Sequence, residues 1–263
     1  MSSPLSFPDR RAVLAGAAGL ASLGLAPRAF AKGGDPVVPT GHGPVQGLRE
    51  GGLLVFKGVR YGADTGPRRF QPPVPPAPWT KPLPCTAFGH ASPQRGKEAD
   101  QSEDCLFLNV WTPGADAARR PVMLYIHGGA YMTGSGSSPL IEGARLAARG
   151  DVVVVTVNHR LGPFGYSYLN RLIPGFEDGG NAGMLDLVLA LRWVRDNIAA
   201  FGGDPGRVML FGQSGGGAKI ATLMAMPAAK GLFHRAAMAS TSVGRGRTAR
   251  SPNRSTVSPA SAR

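Results

Sequence analysis

Ser214 stands in Gly212-Gln213-Ser214-Gly215-Gly216, the stretch of this chain best suited to chemistry. A serine hydroxyl becomes a usable nucleophile when a tight strand-to-helix turn lifts it clear of the backbone, and glycines flank such a serine because side chains would clash. By itself this pattern is weak, but the apolar Val208-Met209-Leu210-Phe211 precedes it and the helix-compatible run Ala218–Ala225 follows it. Upstream, His127-Gly128-Gly129-Ala130 follows a strand-like run ending at Ile126. Small residues there let backbone N–H groups approach an oxyanion. Gly129 and Ala130, with Gly215 after the serine, are therefore candidate oxyanion-hole donors. The two motifs together predict acyl transfer through an ester formed on Ser214.

Such groups converge only if strands and helices alternate. Val122–Ile126 and Val152–Asn158 are continuous apolar runs, as strands covered on both faces require. Cys105–Trp111 and Val208–Phe211 read as further strands, and Ile141–Arg149 as a short helix. Met184–Ala200 is the clearest helix. Leu187, Leu191, Val194 and Ile198 share one of its faces, and Gly202-Gly203 is its expected stop. This order predicts an α/β fold with a mostly parallel central sheet. Before it, residues 37–60 read as short strands, with Gly51-Gly52 suited to a hairpin. The prolines from Pro72 to Pro84 mark an extended surface crossing.

The 263 residues, 43% of them hydrophobic, suffice for one large domain or two small ones. Of the net charge of +13, five arginines lie in residues 241–263, and no aromatic-interleaved basic stripe occurs elsewhere. A nucleic-acid partner is therefore not expected. Asp9-Arg10-Arg11, a mild apolar run from Ala12 to Leu25 and the small-x-small Ala29-Phe30-Ala31 form a twin-arginine-type export signal, cut near Ala31. The expected location is the periplasm or the exterior. The apolar run is shorter than the roughly 20 residues of a membrane span, so no stable span is expected. Cys85 and Cys105 are the two cysteines. In an exported chain an even count points to a disulfide, worth about 3 kcal/mol by loop entropy. Two buried free thiols are the alternative for a chain that is not exported. No cofactor and no metal site are expected. The organisation is thus a signal over 1–31, a partial catalytic domain over 32–240, and an Arg/Ser/Pro-rich tail over 241–263. The tail has too little apolar surface to order itself and reads as a frameshifted end.

Three stretches resemble the type B carboxylesterases of the α/β-hydrolase fold, across about Val37 to Ala239. They are Phe201-Gly-Gly-Asp with Gly212-Gln-Ser-Gly-Gly216, Glu103-Asp-Cys-Leu-Phe-Leu-Asn-Val-Trp-Thr-Pro113, and Asn158-His-Arg-Leu-Gly-Pro-Phe-Gly165 with Asn181-Ala-Gly-Met-Leu-Asp186. The resemblance implies an α/β-hydrolase sheet with helices on both faces, and hydrolysis of small-molecule carboxylic esters. It implies Ser214 as nucleophile, Gly129, Ala130 and Gly215 as oxyanion donors, and Cys85–Cys105 as a disulfide. Gln213 and Leu187 depart from the family's usual glutamate and glutamine without removing a catalytic group. Arg160 and Asp186 fit a structural ion pair, His127 shapes the oxyanion turn, and His42, His90 and His159 fit packing or surface roles. In such folds an acid and then a histidine follow the serine. From Gly215 to Arg263 there is no Asp or Glu, and His234 is the one histidine. The triad acid and base are therefore expected to be absent from this sequence, with the sheet ending on an apolar edge at Val208–Phe211. A non-catalytic cholinesterase-like binding protein and an inactive gene fragment are the alternatives.

Overall fold

The computed structural model describes residues 34–96 and 98–240. The predicted signal over 1–31 and the tail over 241–263 lie outside the described residues. From Asp35 the described chain forms one compact unit. Its main sheet has seven strands. In spatial order these are β10 (Arg235–Ala239), β9 (Gly203–Gln213), β7 (Arg120–Ile126), β8 (Val153–Val157), β6 (Phe107–Thr112), β4 (Leu53–Arg60) and β3 (Leu48–Glu50). β1 (Val37–Val38), β2 (Val45–Gln46) and β5 (Leu83–Pro84) form a separate small sheet.

The β10–β9, β9–β7 and β7–β8 pairings are parallel, whereas β8–β6, β6–β4 and β4–β3 are antiparallel. The α/β expectation thus resolves into a mixed sheet, parallel on the serine side and antiparallel on the N-terminal side. The β3–β4 hairpin turns at Gly51 and Gly52, with φ of 57° and 81°. Such values favour glycine.

Period-two alternation distributes the strand side chains between two faces. Val122, Leu124, Ile126, Val153, Val155, Val157, Val208 and Leu210 point into the main core. Two helices cover that face, α3 (Ala182–Asn197) and α4 (Gly215–Ala225). On the opposite face Val55, Trp111 and Val154 pack under Ala147 of α1 (Ala144–Gly150). The short α2 (Gly162–Tyr166) completes the set.

The predicted stripe Leu187, Leu191, Val194 and Ile198 is buried. α3 gives way at Ile198 to a 3-10 turn and ends on Gly202, whose φ is 78°. Gly203 is no part of this stop, because it opens β9 and pairs with Arg120. Between that pair and Val122↔Val208 the register shifts, as Asp204-Pro205-Gly206 bulges out. Pro-Gly imitates a turn there, which is why the sequence places the strand start later. A second correction concerns the edge. β10 pairs in parallel beyond β9, so Val208–Phe211 is an interior strand, and the exposed edge is β10.

Candidate active site

β7 and β9 run parallel as neighbours, so the segments leaving their C-terminal ends emerge side by side. β9 delivers Ser214 and β7 delivers the turn His127–Ala130. Ser214 sits at φ 54°, ψ −121°, directly before α4. A serine held in that region stores roughly 1–3 kcal/mol of strain, sustained by its surroundings. Those surroundings explain the glycines. A Cβ on Gly212 would meet the Ile126 carbonyl oxygen at 2.7 Å, one on Gly216 would fall onto the same oxygen, and one on Gly215 would overlap the Ala130 backbone. A Cβ on Gly128 would lie 2.9 Å from Gln213 O and 3.7 Å from Ser214 Cβ.

Gly129 and Ala130 both adopt left-handed conformations, with φ of 80° and 53°, and both are exposed. The Gly129 carbonyl accepts N–H bonds from Met132 and Thr133, at 3.1 Å each. The N–H groups of Gly129, Ala130 and Gly215 have no hydrogen-bond partner among the described residues. Three free donors thus stand beside a half-buried serine.

A second tier of polar groups holds the chain after the turn. The Gln94 side-chain amide bonds Gly134 twice, accepting from its N–H at 2.7 Å and donating to its carbonyl at 2.9 Å. Asn109 Nδ2 and Thr156 Oγ1 both donate to Gly136 O, and Asn158 Oδ1 accepts from Gly136 N–H at 2.6 Å. Sequence reading missed these groups, because polar residues spread over three segments carry no local pattern.

His127 lies behind the turn, stacked on His159 with ring centroids 4.8 Å apart. Its Nδ1 is 2.9 Å from the carbonyl oxygen of the next residue, Gly128, and its buried Nε2 has no partner among the described residues. Burial, then the Lys219 charge, lower its pKa to about 3, so its ring is neutral. Lys219, also unsuspected, is fully buried on α4 and donates to Ala130 O at 2.6 Å and His127 O at 3.3 Å. A lone lysine within the apolar run Ala218–Ala225 was the available signal.

The remaining expected residues lie apart from the serine. Arg160 and Asp186 form a buried bidentate pair, with Nη2–Oδ1 at 2.6 Å and Nε–Oδ2 at 2.9 Å. His234 donates its N–H to Val208 O, and its Nδ1 accepts from Val208 N–H. It therefore stands at the start of β10, at the end of the sheet opposite Ser214. Six residues of β9 separate the two levels, about 20 Å at the usual rise per residue. Among the described residues no side chain bonds the Ser214 hydroxyl. Cys85 and Cys105 are both buried free thiols, so the expected disulfide is not formed in this structure. The Cys85 thiol faces the Gly58 carbonyl oxygen at 3.9 Å. Burial pushes Cys85 up to about 12 and Cys105 higher still.

Residues 34–260 match the model of the carboxylesterase family. The chain belongs to the carboxylesterase family. It is 47% identical over 213 residues to the para-nitrobenzyl esterase of Bacillus subtilis, covering 78% of this chain and 43% of that protein. Carboxylesterase 3B of the mouse is 42% identical over 228 residues, covering 77% of this chain and 38% of that protein. Among solved structures, a Geobacillus stearothermophilus carboxylesterase superposes with a TM-score of 0.75 at 46% identity, over 77% of this chain and 42% of that one. The fold is therefore that of the α/β-hydrolase carboxylesterases. The chain spans less than half the length of the relatives it matches.

Proposed function

We propose that this chain carries the nucleophile and oxyanion hole of a carboxylic-ester hydrolase. The observation that carries this reading is Ser214 on its strained turn beside the free N–H groups of Gly129, Ala130 and Gly215. The serine oxygen attacks the carbonyl carbon of a small-molecule ester, and a base takes its proton. The tetrahedral oxyanion accepts the backbone N–H bonds. The carbon–oxygen bond to the alcohol then breaks, with the proton returned to the alcohol, leaving an acyl ester on Ser214. Each oxyanion donor supplies about 3 kcal/mol to such a step.

Among the described residues no histidine bonds Ser214, and loss of that base alone lowers a triad enzyme's rate on the order of 10⁶-fold. The 263-residue chain by itself is therefore expected to turn over esters very slowly. An external base supplies the test. With p-nitrophenyl acetate and added imidazole, peptide mass analysis should find acetyl on Ser214 well ahead of other exposed serines, promoted by imidazole. Acetylation of Ser214 no faster than that of other exposed serines would overturn the reading. It would favour a non-catalytic binding role.

Export belongs to the same proposal. Cleavage after Ala31 through the twin-arginine signal takes the protein to an oxidising compartment, where Cys85 and Cys105 close a disulfide. Intact mass of protein from its native host, with and without alkylation, tests both steps. An uncleaved chain with two alkylatable thiols contradicts them.

A further inference from the structure

The first two turns of α4 grip the oxyanion turn at two points on one helix face. Gly215 lies against the Ala130 backbone. Four residues later, and so on the same face, Lys219 reaches the carbonyl oxygens of Ala130 at 2.6 Å and His127 at 3.3 Å. Its third direction meets the Tyr131 ring, with Nζ 5.4 Å from the centroid. An ammonium has three donors and no acceptor, and here two carbonyls and one ring face use them. No carboxylate pairs with Lys219 among the described residues. The titratable groups around it are Tyr131 on the turn, His127 just after β7 and His159 after β8, the last beside Arg160. Arg160 is already held by Asp186.

Resting on the reading of Ser214 as nucleophile, we propose that Lys219 is a positioning residue for ester hydrolysis: its ammonium clamps the turn His127–Tyr131 from behind by two carbonyls, so that the N–H groups of Gly129 and Ala130 face the serine. With both carbonyls turned toward the helix, the peptide N–H groups of the intervening residues are left for the substrate. The clamp also carries a pH signature. Burial lowers Lys219 from its usual 10.5 to about 7, so above neutrality it becomes a neutral amine with one donor fewer. In the unfolded chain it stays protonated to about 10. Its contribution to global stability therefore rises with pH across that window, while the clamp on the turn weakens.

The experiment uses the full chain and Lys219→Met, which keeps length and bulk but removes the charge. Hydrogen exchange of peptides spanning 127–133, corrected for intrinsic rates, is read at pH 6 and pH 9, with the 153–157 strand as internal reference. Imidazole-promoted acetylation of Ser214 by p-nitrophenyl acetate is read on the same samples. Loss of charge-assisted hydrogen bonds should raise exchange of the turn at pH 6 about tenfold and slow acetylation by a similar factor, with the reference strand unchanged. In the wild type the turn should loosen from pH 6 to pH 9 while the urea midpoint rises. Unchanged turn exchange and acetylation in Lys219→Met would overturn the proposal. So would a wild-type turn equally protected at both pH values, an arm that decides the matter should the variant not fold. Absence of selective Ser214 acetylation in the wild type would instead count against the esterase reading, with turn exchange still testing the clamp.

Discussion

The two flanks of the main sheet are built to different standards. On the β4–β6–β8 flank both faces are sealed, with Val153, Val155 and Val157 in the main core and Val154 and Trp111 under α1. On the β7–β9–β10 flank only one face is. Val122, Leu124, Val208 and Leu210 are buried, whereas Met123, Tyr125, Met209 and Phe211 on the opposite face are half-buried and β10 is exposed throughout. Ser214 and the His127–Ala130 turn grow from the half-covered flank. The Ser214 turn is held by α4, by backbone contacts with the β7 turn and by the Ser214 N–H bond to Ala239 O at 2.9 Å.

Breaking the sealed flank should have the largest effect. Arg160→Met leaves Asp186 buried and unpaired, which typically costs 3–5 kcal/mol, about the whole stability of a marginal domain. Loss of the cooperative urea transition is expected, and an unchanged midpoint would show the pair to be dispensable. Next come paired substitutions within β9. Leu210→Ala on the covered face should cost about 3 kcal/mol, while Met209→Ala on the open face should cost below about 1 kcal/mol. Equal costs would erase the distinction between the two faces. A smaller effect is expected from acid. His127 and His159 are held neutral in the folded protein, with His127 lowered from 6.5 to about 3 by burial and the Lys219 charge. Their stabilisation is complete above pH 6.5 and is lost progressively as pH falls toward 3. Urea midpoints at pH 7 and pH 4.5 should therefore diverge in the wild type, and His159→Phe should narrow the gap. The mildest change is Met238→Lys on β10. It should leave the fold intact and raise solubility, because a charge on an exposed edge strand blocks strand pairing between molecules. Light scattering of concentrated samples reads that outcome.

What the sequence revealed follows the same division. The buried strands of the sealed flank and the stripe of α3 were legible, because continuous apolar runs and 3.6-residue periodicity are local signals. The β9 start at Gly203 was hidden by a Pro-Gly that imitates a turn, and β10 by its position after the last motif, in a small-residue run. The serine turn and the β7 turn were readable because glycines mark places where backbones nearly touch. Gln94, Asn109 and Asn158 act through contacts far apart in sequence, and nothing local distinguishes them from ordinary surface polar residues, whereas Lys219 left only the faint signal of a lone lysine in an apolar run. The ring of His234 could be matched to a role only once β10 placed it beside Val208, away from the serine.

The proposal stands or falls on whether Ser214 and its three neighbouring N–H groups support acyl transfer once a base is supplied. The most direct measurement is the rate of acetyl transfer from p-nitrophenyl acetate to Ser214 as imidazole is raised, followed on the Ser214 peptide, with Ser214→Ala as control. A rate that climbs with imidazole, exceeds that of other exposed serines, and vanishes in Ser214→Ala is the predicted result. Acetylation spread evenly over exposed serines, or unaffected by imidazole, would contradict the account.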